Sequence, residues 1–114
     1  MVNTNKEDYF GRMNDPTGSA FLEGPCGDSM EFYLTIEDDK IIEVRFYTEG
    51  CAATQSCGAV TAALAKGRTI AKALCISPGE VIENIKDLPD DHRHCSILSV
   101  STLYRAIAEY LLKI

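Results

Sequence analysis

The sequence of 114 residues lacks several features that would assign it at once to a class of protein. It has no tryptophan and only 4 prolines, and no apolar run approaches the roughly 20 residues of a membrane-spanning helix. Basic residues are scarce, since 11 Lys and Arg stand against 17 Asp and Glu. The net charge of −6 argues against nucleic acids and anionic membranes as partners. Residues 1–8 lack the apolar core of a signal peptide, so we expect a cytoplasmic location.

The chain also lacks a Pro/Ser-rich linker and an internal repeat. Its hydrophobic fraction of 46% and charged fraction of 25% are those of an ordinary globular protein, which excludes disorder. The length suits one compact domain spanning residues 1–114. Residues 1–50 are rich in β-branched and aromatic side chains and residues 51–114 in alanine and leucine, so we expect a sheet half followed by a helical half.

Alternation of apolar and polar residues predicts an antiparallel hairpin. Residues 30–37 alternate from Met30 onwards, and Ile42, Val44 and Phe46 form the matching inward set after a turn at residues 38–40. Residues 19–24 predict a third strand, entered through a turn at residues 15–18. The first half of the chain therefore predicts a small three-stranded antiparallel sheet.

After Gly50 the apolar period becomes that of a helix. The first helical stripe ends at Gly67, and Thr69 and Ser77 are suited to cap two short helices. A last helix is predicted from Ser96. The apolar stripe of the first helix comprises Ala53, Cys57, Val60 and Leu64, and that of the last comprises Ile97, Val100, Tyr104, Ile107 and Leu111. The predicted fold class is α+β, with helices packed on one face of the sheet.

The sequence has five cysteines, and because this number is odd they cannot all be paired in disulfides. In a reducing cytosol such thiols bind metals, act as nucleophiles or lie buried, so a disulfide framework is not expected. Cys26 lies in a glycine-flanked turn, and Cys51 and Cys95 lie near helix N-termini, where a thiolate is favoured. If these loops converge, Asp28 and His94 join them in a set that suits zinc or an iron–sulfur cluster. Inert cysteines remain the alternative, because the sequence has no C-x-x-C motif.

The remaining cysteines and the other histidine are not predicted to be metal ligands. Cys57 shares the apolar stripe of the first helix, and Cys75 ends a short apolar helix, so we expect both to be buried core residues. We expect His92 to be solvated. A cysteine-nucleophile enzyme built on Cys95 and His94 is disfavoured, because adjacent residues rarely form a nucleophile–base pair.

Three cysteine motifs occur in a specific order: Gly24-Pro25-Cys26-Gly27-Asp28, then Gly50-Cys51-Ala52-Ala53, then His94-Cys95-Ser96-Ile97-Leu98 preceded by Leu88-Pro89. In this order and with these intervals the chain resembles the U-type iron–sulfur cluster assembly scaffolds, the IscU proteins and the N-terminal domain of NifU. The likeness runs from about residue 15 to residue 110. It implies the family fold, a three-stranded antiparallel sheet with helices on one side.

The resemblance also implies a function and a set of site residues. A transient [2Fe–2S] cluster would be built from iron and sulfur on Cys26, Cys51 and Cys95, with zinc as another occupant of the same site. Cys95 would accept persulfide sulfur, His94 would be an alternative ligand, and Asp28 would keep the cluster labile. The implied partners are a cysteine desulfurase, apo iron–sulfur acceptor proteins, and a chaperone or iron donor. The protein would be a scaffold without catalytic turnover, and a monomer or weak homodimer.

The sequence departs from the family at three places. The loop that reads Leu-Pro-Pro-Val-Lys in IscU is Leu88-Pro89-Asp90-Asp91-His92 here, which disfavours docking of the dedicated Hsp70 chaperone. The interval between Cys51 and Cys95 has no room for the insertion of the zinc-dependent SufU branch. That branch supplies the alternative function, a zinc-bound, sulfur-accepting partner of a desulfurase. Finally, Tyr9-Phe10 is interpreted as a remnant of the leading helix of the family.

Overall fold

The computed structural model describes residues 6–24, 27–86 and 88–113. Strands β1 (Gly18–Glu23), β2 (Ser29–Glu37) and β3 (Lys40–Tyr47) form an antiparallel sheet in the order β1-β2-β3. Helices α1 (Ala52–Ala65), α2 (Ile70–Ala73), α3 (Pro78–Glu83) and α4 (His94–Lys113) follow, with 3-10 helices at Lys6–Asp8 and Asp90–His92. The predicted α+β class and three-stranded antiparallel sheet are confirmed.

The hairpin between β2 and β3 closes through a two-residue turn. Asp38 and Asp39 have φ angles of 52° and 61°, a left-handed conformation that aspartate tolerates and that matches the twist of a hairpin. Along β2 every second side chain is buried towards the helices, and these are Met30, Phe32, Leu34 and Ile36. The alternation predicted for β2 therefore holds.

A β-bulge in β3 overturns one part of the predicted alternation. Thr35 pairs with Glu43 but Ile36 pairs with Ile41, so Ile42 is the extra residue of the bulge. Ile41 is fully buried, whereas Ile42 is 40% exposed. The prediction that Ile42 points inwards is wrong, because the inserted residue shifts the period of the strand by one.

The inner face of the sheet packs against α1 and α4. Helix α1 approaches so closely that a Cβ on Gly58 would lie 2.5 Å from the ring of Phe46. Between the two helices the hydroxyl groups of Thr61 and Ser99 form a buried hydrogen bond of 2.8 Å. Polar residues thus line part of the helix interface, because their hydroxyl groups bond to each other and to backbone carbonyls.

Helix α4 begins at His94, two residues before the predicted start, and its buried face differs from the predicted stripe. Val100 and Ile107 are buried as expected, but Ile97 is 57% exposed and Leu111 is also exposed. The prediction is wrong at both ends of the stripe. Near Ile97 the buried positions belong to the hydroxyl-bearing Ser96 and Ser99, and at Leu111 the last described turn of the helix is exposed.

The N-terminal segment pairs with the sheet. The backbone of Tyr9 and Gly11 bonds to both backbone groups of Phe46 in β3, and Phe10 forms a parallel bridge with the same residue. The interpretation of Tyr9-Phe10 as part of a helix is therefore wrong. Beyond this bridge Arg12 crosses the outer face of the sheet, where its guanidinium bonds to Glu31 at 3.1 Å.

The predicted caps at Thr69 and Ser77 and the predicted end of α1 before Gly67 are confirmed. Thr69 accepts a hydrogen bond from the backbone N–H of Lys72, and Ser77 accepts one from that of Glu80. Gly67, with a φ angle of 87°, makes the turn that follows α1. Within the described ranges, no helix is both long and apolar enough to cross a bilayer.

Candidate metal centre

Two segments that are distant in the sequence bring three potential metal ligands together. Asp28 lies between β1 and β2, and His94 and Cys95 open α4. One ligand atom from each of the three residues lies within 4.8 Å of the other two. The Sγ atom of Cys95 is 3.9 Å from Nε2 of His94. The group therefore offers one carboxylate oxygen, one imidazole nitrogen and one sulfur.

The position of Asp28 is determined by the turn that precedes it. The backbone N–H of Gly24 donates to the carbonyl of Asp28 at 2.6 Å, and that of Gly27 donates to Gly24 at 3.1 Å. Gly27 has a φ angle of 87°, which most side chains would oppose. This turn brings the Asp28 carboxylate towards the N-terminus of α1.

The segment that leads into α1 is tied to the same region. Thr48, the residue directly after β3, donates to the carbonyl of Ser29 at 2.6 Å and accepts from the N–H of Gly50 at 2.9 Å. The start of β2 and the start of α1 are thereby joined. As a result Cys51, the N-cap residue of α1, lies beside Asp28.

The two cysteines at the described helix N-termini differ in their surroundings. Cys51 is exposed, and hydrogen bonds from the side chain and backbone of Thr54 lower the pKa of its thiol, although partial desolvation opposes this effect. Cys95 is only 1% exposed. A thiol-directed reagent therefore reaches Cys51 before Cys95.

Thr54, which was not among the site residues predicted from the sequence, connects these groups. Its hydroxyl donates to Oδ2 of Asp28 at 2.7 Å and lies 3.5 Å from Sγ of Cys51 and 3.4 Å from Sγ of Cys95. Both sulfur atoms thus approach the same oxygen atom, so Cys51 adjoins the group of three ligands. The available signal was the position of Thr54 three residues after an N-cap cysteine, where a side chain turns back towards the cap.

The other candidate residues have different outcomes. Cys26 lies outside the described residues. Cys57 is fully buried as predicted, and burial raises the pKa of its thiol to about 12. The prediction that Cys75 is buried is wrong, because Ala73 and Ile76 occupy the inward positions and leave Cys75 exposed.

His92, which we expected to be solvated, is partly buried. Its ring stacks on that of His94 with centroids 6.2 Å apart, and its Nε2 lies 3.9 Å from the Asp91 carboxylate. This contact places a second imidazole beside the site.

The donor set suits a transition metal. Thiolate, imidazole and carboxylate groups bind zinc and iron. Bonds of about 2.0–2.3 Å put the ligands of one zinc ion about 3.3–3.8 Å apart, so the observed group needs only a small contraction to bind it. The same donors at wider separation can hold a cluster of two metal ions.

Clefts flank the site on two sides. One of about 370 Å³ runs between α1 and the segment after α3, and Cys51, Lys86 and His92 line it. Another of about 250 Å³ is mainly apolar and reaches Asp28 and His94 past Leu98. The surface is thus open beside Cys51 on one side and beside Asp28 and His94 on the other.

Comparison with known proteins places the chain in a family. The family model described as the NifU-like N-terminal domain matches residues 8–114. The chain is 38% identical over 104 residues to the iron–sulfur cluster assembly scaffold protein IscU 1 of Archaeoglobus fulgidus, covering 90% of this chain and 68% of that protein. It is 32% identical over 103 residues to IscU of Escherichia coli K12, covering 89% of this chain and 80% of that protein.

The fold comparison agrees. The crystal structure of the N-terminal part of a NifU-like protein from Brucella abortus superposes with a TM-score of 0.72 at 17% identity, covering 98% of this chain and 89% of that one. At this identity the likeness concerns the fold alone. With the family model matching nearly the whole chain, the protein belongs to the NifU-like N-terminal domain family.

Proposed function

We propose that this protein is a scaffold on which iron–sulfur clusters are assembled and from which they are transferred to acceptor proteins. The observation that carries the proposal is the meeting of Asp28, His94 and Cys95 beside Cys51, in a chain whose relatives are named as such scaffolds. Iron and sulfide are the cargo of this site. The cytoplasmic location expected from the sequence stays a prediction.

The proposed cargo is a [2Fe–2S] cluster. Its ligands would be Cys51 and Cys95, with Cys26 and either His94 or Asp28. A carboxylate or imidazole is exchanged more readily than a fourth thiolate, and Cys51 is exposed to a partner. Both features favour release of the cluster over permanent retention.

The proposed sulfur source is a cysteine desulfurase that carries a persulfide. A thiolate of the scaffold attacks the terminal sulfur, the S–S bond of the donor breaks, and the donor cysteine leaves as a thiolate. Cys95 is the proposed acceptor. Because its side chain is buried, the segment carrying Asp28 or the start of α4 must move aside during transfer.

The test is anaerobic reconstitution with ferrous iron, cysteine and a desulfurase, followed by visible spectroscopy and analysis of iron and sulfide. We expect a coloured protein with matched iron and sulfide, and loss of colour in C26S, C51S and C95S. The matched control is C75S, because Cys75 is exposed like Cys51 but belongs to a different part of the fold.

Two outcomes would contradict the scaffold proposal. A colourless protein that keeps zinc and gains one sulfur atom on a cysteine would indicate a sulfur-accepting partner of a desulfurase. A protein that binds neither iron with sulfide nor persulfide sulfur would exclude both functions. Separately, equal loss of colour in C75S would show that the loss is not specific to the proposed ligands.

A further inference from the structure

The buried hydroxyl of Thr54 lies between the candidate ligands, although Thr54 is not itself one of the proposed zinc or iron ligands. Its side chain is fully buried, and one oxygen atom contacts Asp28, Cys51 and Cys95. We propose that Thr54 is a positioning residue, which holds the ligand-bearing segments in register around the place that the cargo occupies. This inference rests on the proposed function.

The hydrogen-bonding capacity of a hydroxyl group explains how one atom can serve three neighbours. A hydroxyl has one hydrogen to donate and two lone pairs to accept with. The contact of 2.7 Å with Asp28 uses the hydrogen, and the lone pairs remain available to the Cys51 and Cys95 thiols at 3.5 and 3.4 Å. When a thiol loses its proton or a metal replaces that proton, the single hydrogen of the hydroxyl can be donated to one ligand atom at a time, either a sulfur or the Asp28 oxygen.

The three contacts join segments that nothing in the local sequence brings together. Asp28 is 26 residues from Thr54 along the chain, and Cys95 is 41 residues away. Cys51 precedes Thr54 by one helical turn. The hydroxyl therefore links the turn before β2, the start of α1 and the start of α4, the described segments that carry the proposed ligands.

The packing around Thr54 restricts the direction of its hydroxyl. A Cβ on Gly50 would lie 2.9 Å from Cβ of Thr54 and 3.0 Å from both Cγ2 and Oγ1, so this glycine leaves the space that the threonine fills. Because threonine is branched at Cβ, few side-chain rotamers are open to it in a helix. Gly50 and the branched side chain together aim the hydroxyl at the ligands.

The first test measures affinity for zinc alone, by competition with a chromophoric chelator at constant pH. Thr54→Val keeps the shape of the side chain and removes the hydroxyl. We expect it to weaken zinc binding about 10-fold, the lower end of the loss typical when a group that orients metal ligands is removed. Thr54→Ser keeps the hydroxyl and should retain most of the affinity.

The matched control is Thr61→Val in the same helix. Thr61 is also buried, and its hydroxyl bonds to Ser99 and to the carbonyl of Cys57 rather than to any proposed ligand. We expect T61V to lower the melting temperature and leave zinc affinity unchanged. Equal weakening of zinc binding by T54V and T61V would overturn the proposal, because general loosening of the core would then explain both.

The second test uses metal-free protein and needs no cargo. Hydrogen exchange followed by mass spectrometry should show faster exchange at residues 27–30 in T54V than in the wild type or T61V, because the tie to Asp28 is lost. Unchanged exchange together with unchanged zinc affinity would refute the positioning role. Should T54V fail to fold, Thr54→Ala provides the same comparison.

These readouts separate the role of Thr54 from the proposed function. If the wild type forms no iron–sulfur cluster and T54V still weakens zinc binding, cluster assembly is refuted while the positioning role stands. If the wild type assembles a cluster and T54V matches it in zinc affinity and hydrogen exchange, the positioning role is refuted while the scaffold function stands.

Discussion

The buried thiol of Cys57 predicts a specific loss of stability at alkaline pH. Burial raises the pKa of this thiol from its ordinary value of 9.0 to about 12 in the folded protein. Below about pH 9 the thiol is protonated in both the folded and the unfolded chain, so its contribution to stability is complete there. Between about pH 9 and pH 12 the unfolded chain loses the proton and the folded chain keeps it. The free energy of unfolding therefore falls as the pH rises through this window.

The size of the effect follows from the two pKa values. Linkage gives a loss of about 2 kcal/mol between about pH 8.5 and pH 10.5 from this one group. The other cysteines and the tyrosines also titrate at alkaline pH, so the contribution must be isolated by difference. Cys57→Ala removes the ionisable group and leaves only a small cavity.

The assay is guanidinium unfolding of metal-free wild type and C57A across this pH range, with a reductant that prevents disulfide formation. We expect the wild type to lose about 2 kcal/mol more than C57A over the range. Parallel pH dependence of the two proteins would refute the argument, since it would show that Cys57 ionises equally well in both states. Full cluster formation by C57A would further show that this thiol is not a ligand.

Three other outcomes are expected. In denaturant unfolding, Ile41→Ala should lower the free energy of unfolding by about 2–5 kcal/mol and Ile42→Ala by under about 1 kcal/mol, because the bulge leaves only Ile41 buried. Equal losses in the two variants would mean that the bulge is absent. Gly58→Ala should lower the melting temperature despite the better helix propensity of alanine, because its Cβ would press on the ring of Phe46; a gain in stability would contradict this packing. Chelation of bound metal should leave the circular dichroism signal and cooperative unfolding in place, because the buried cluster between the sheet and the helices contains only Cys95 of the described candidate ligands and otherwise consists of apolar side chains. Unfolding on chelation would instead identify a structural metal domain.

Patterns that act over a few residues were sufficient for much of this fold. The alternation in β2, the turn at Asp38 and Asp39, and the caps at Thr69 and Ser77 are all seen as predicted, because each depends on backbone preferences and hydrogen bonds within one short segment. The sequence motifs also selected Asp28, His94 and Cys95, which the fold brings together.

Local sequence patterns gave wrong predictions where contact with a distant segment determines the burial or the secondary structure of a residue. A bulge in β3 leaves Ile41 buried and Ile42 exposed, the reverse of the predicted pattern. Phe10 forms a bridge with β3 instead of the expected helix. Ile97 is exposed because the opposing surface of α1 accepts hydroxyl groups on the buried face of α4. A search for apolar periodicity does not detect buried serine and threonine residues whose hydroxyl groups hydrogen-bond to one another.

Local conformational preference and side-chain chemistry were enough to predict the class of fold, the capped helices and the residues able to bind a metal. Which of those residues meet, and what holds them together, depends on packing between distant segments. The contacts of Thr54 with Asp28 and Cys95 span 26 and 41 residues of sequence, and they exist only because α1 and α4 pack together on one face of the sheet. Chain entropy opposes such distant contacts, and the burial of the shared apolar core stabilises them.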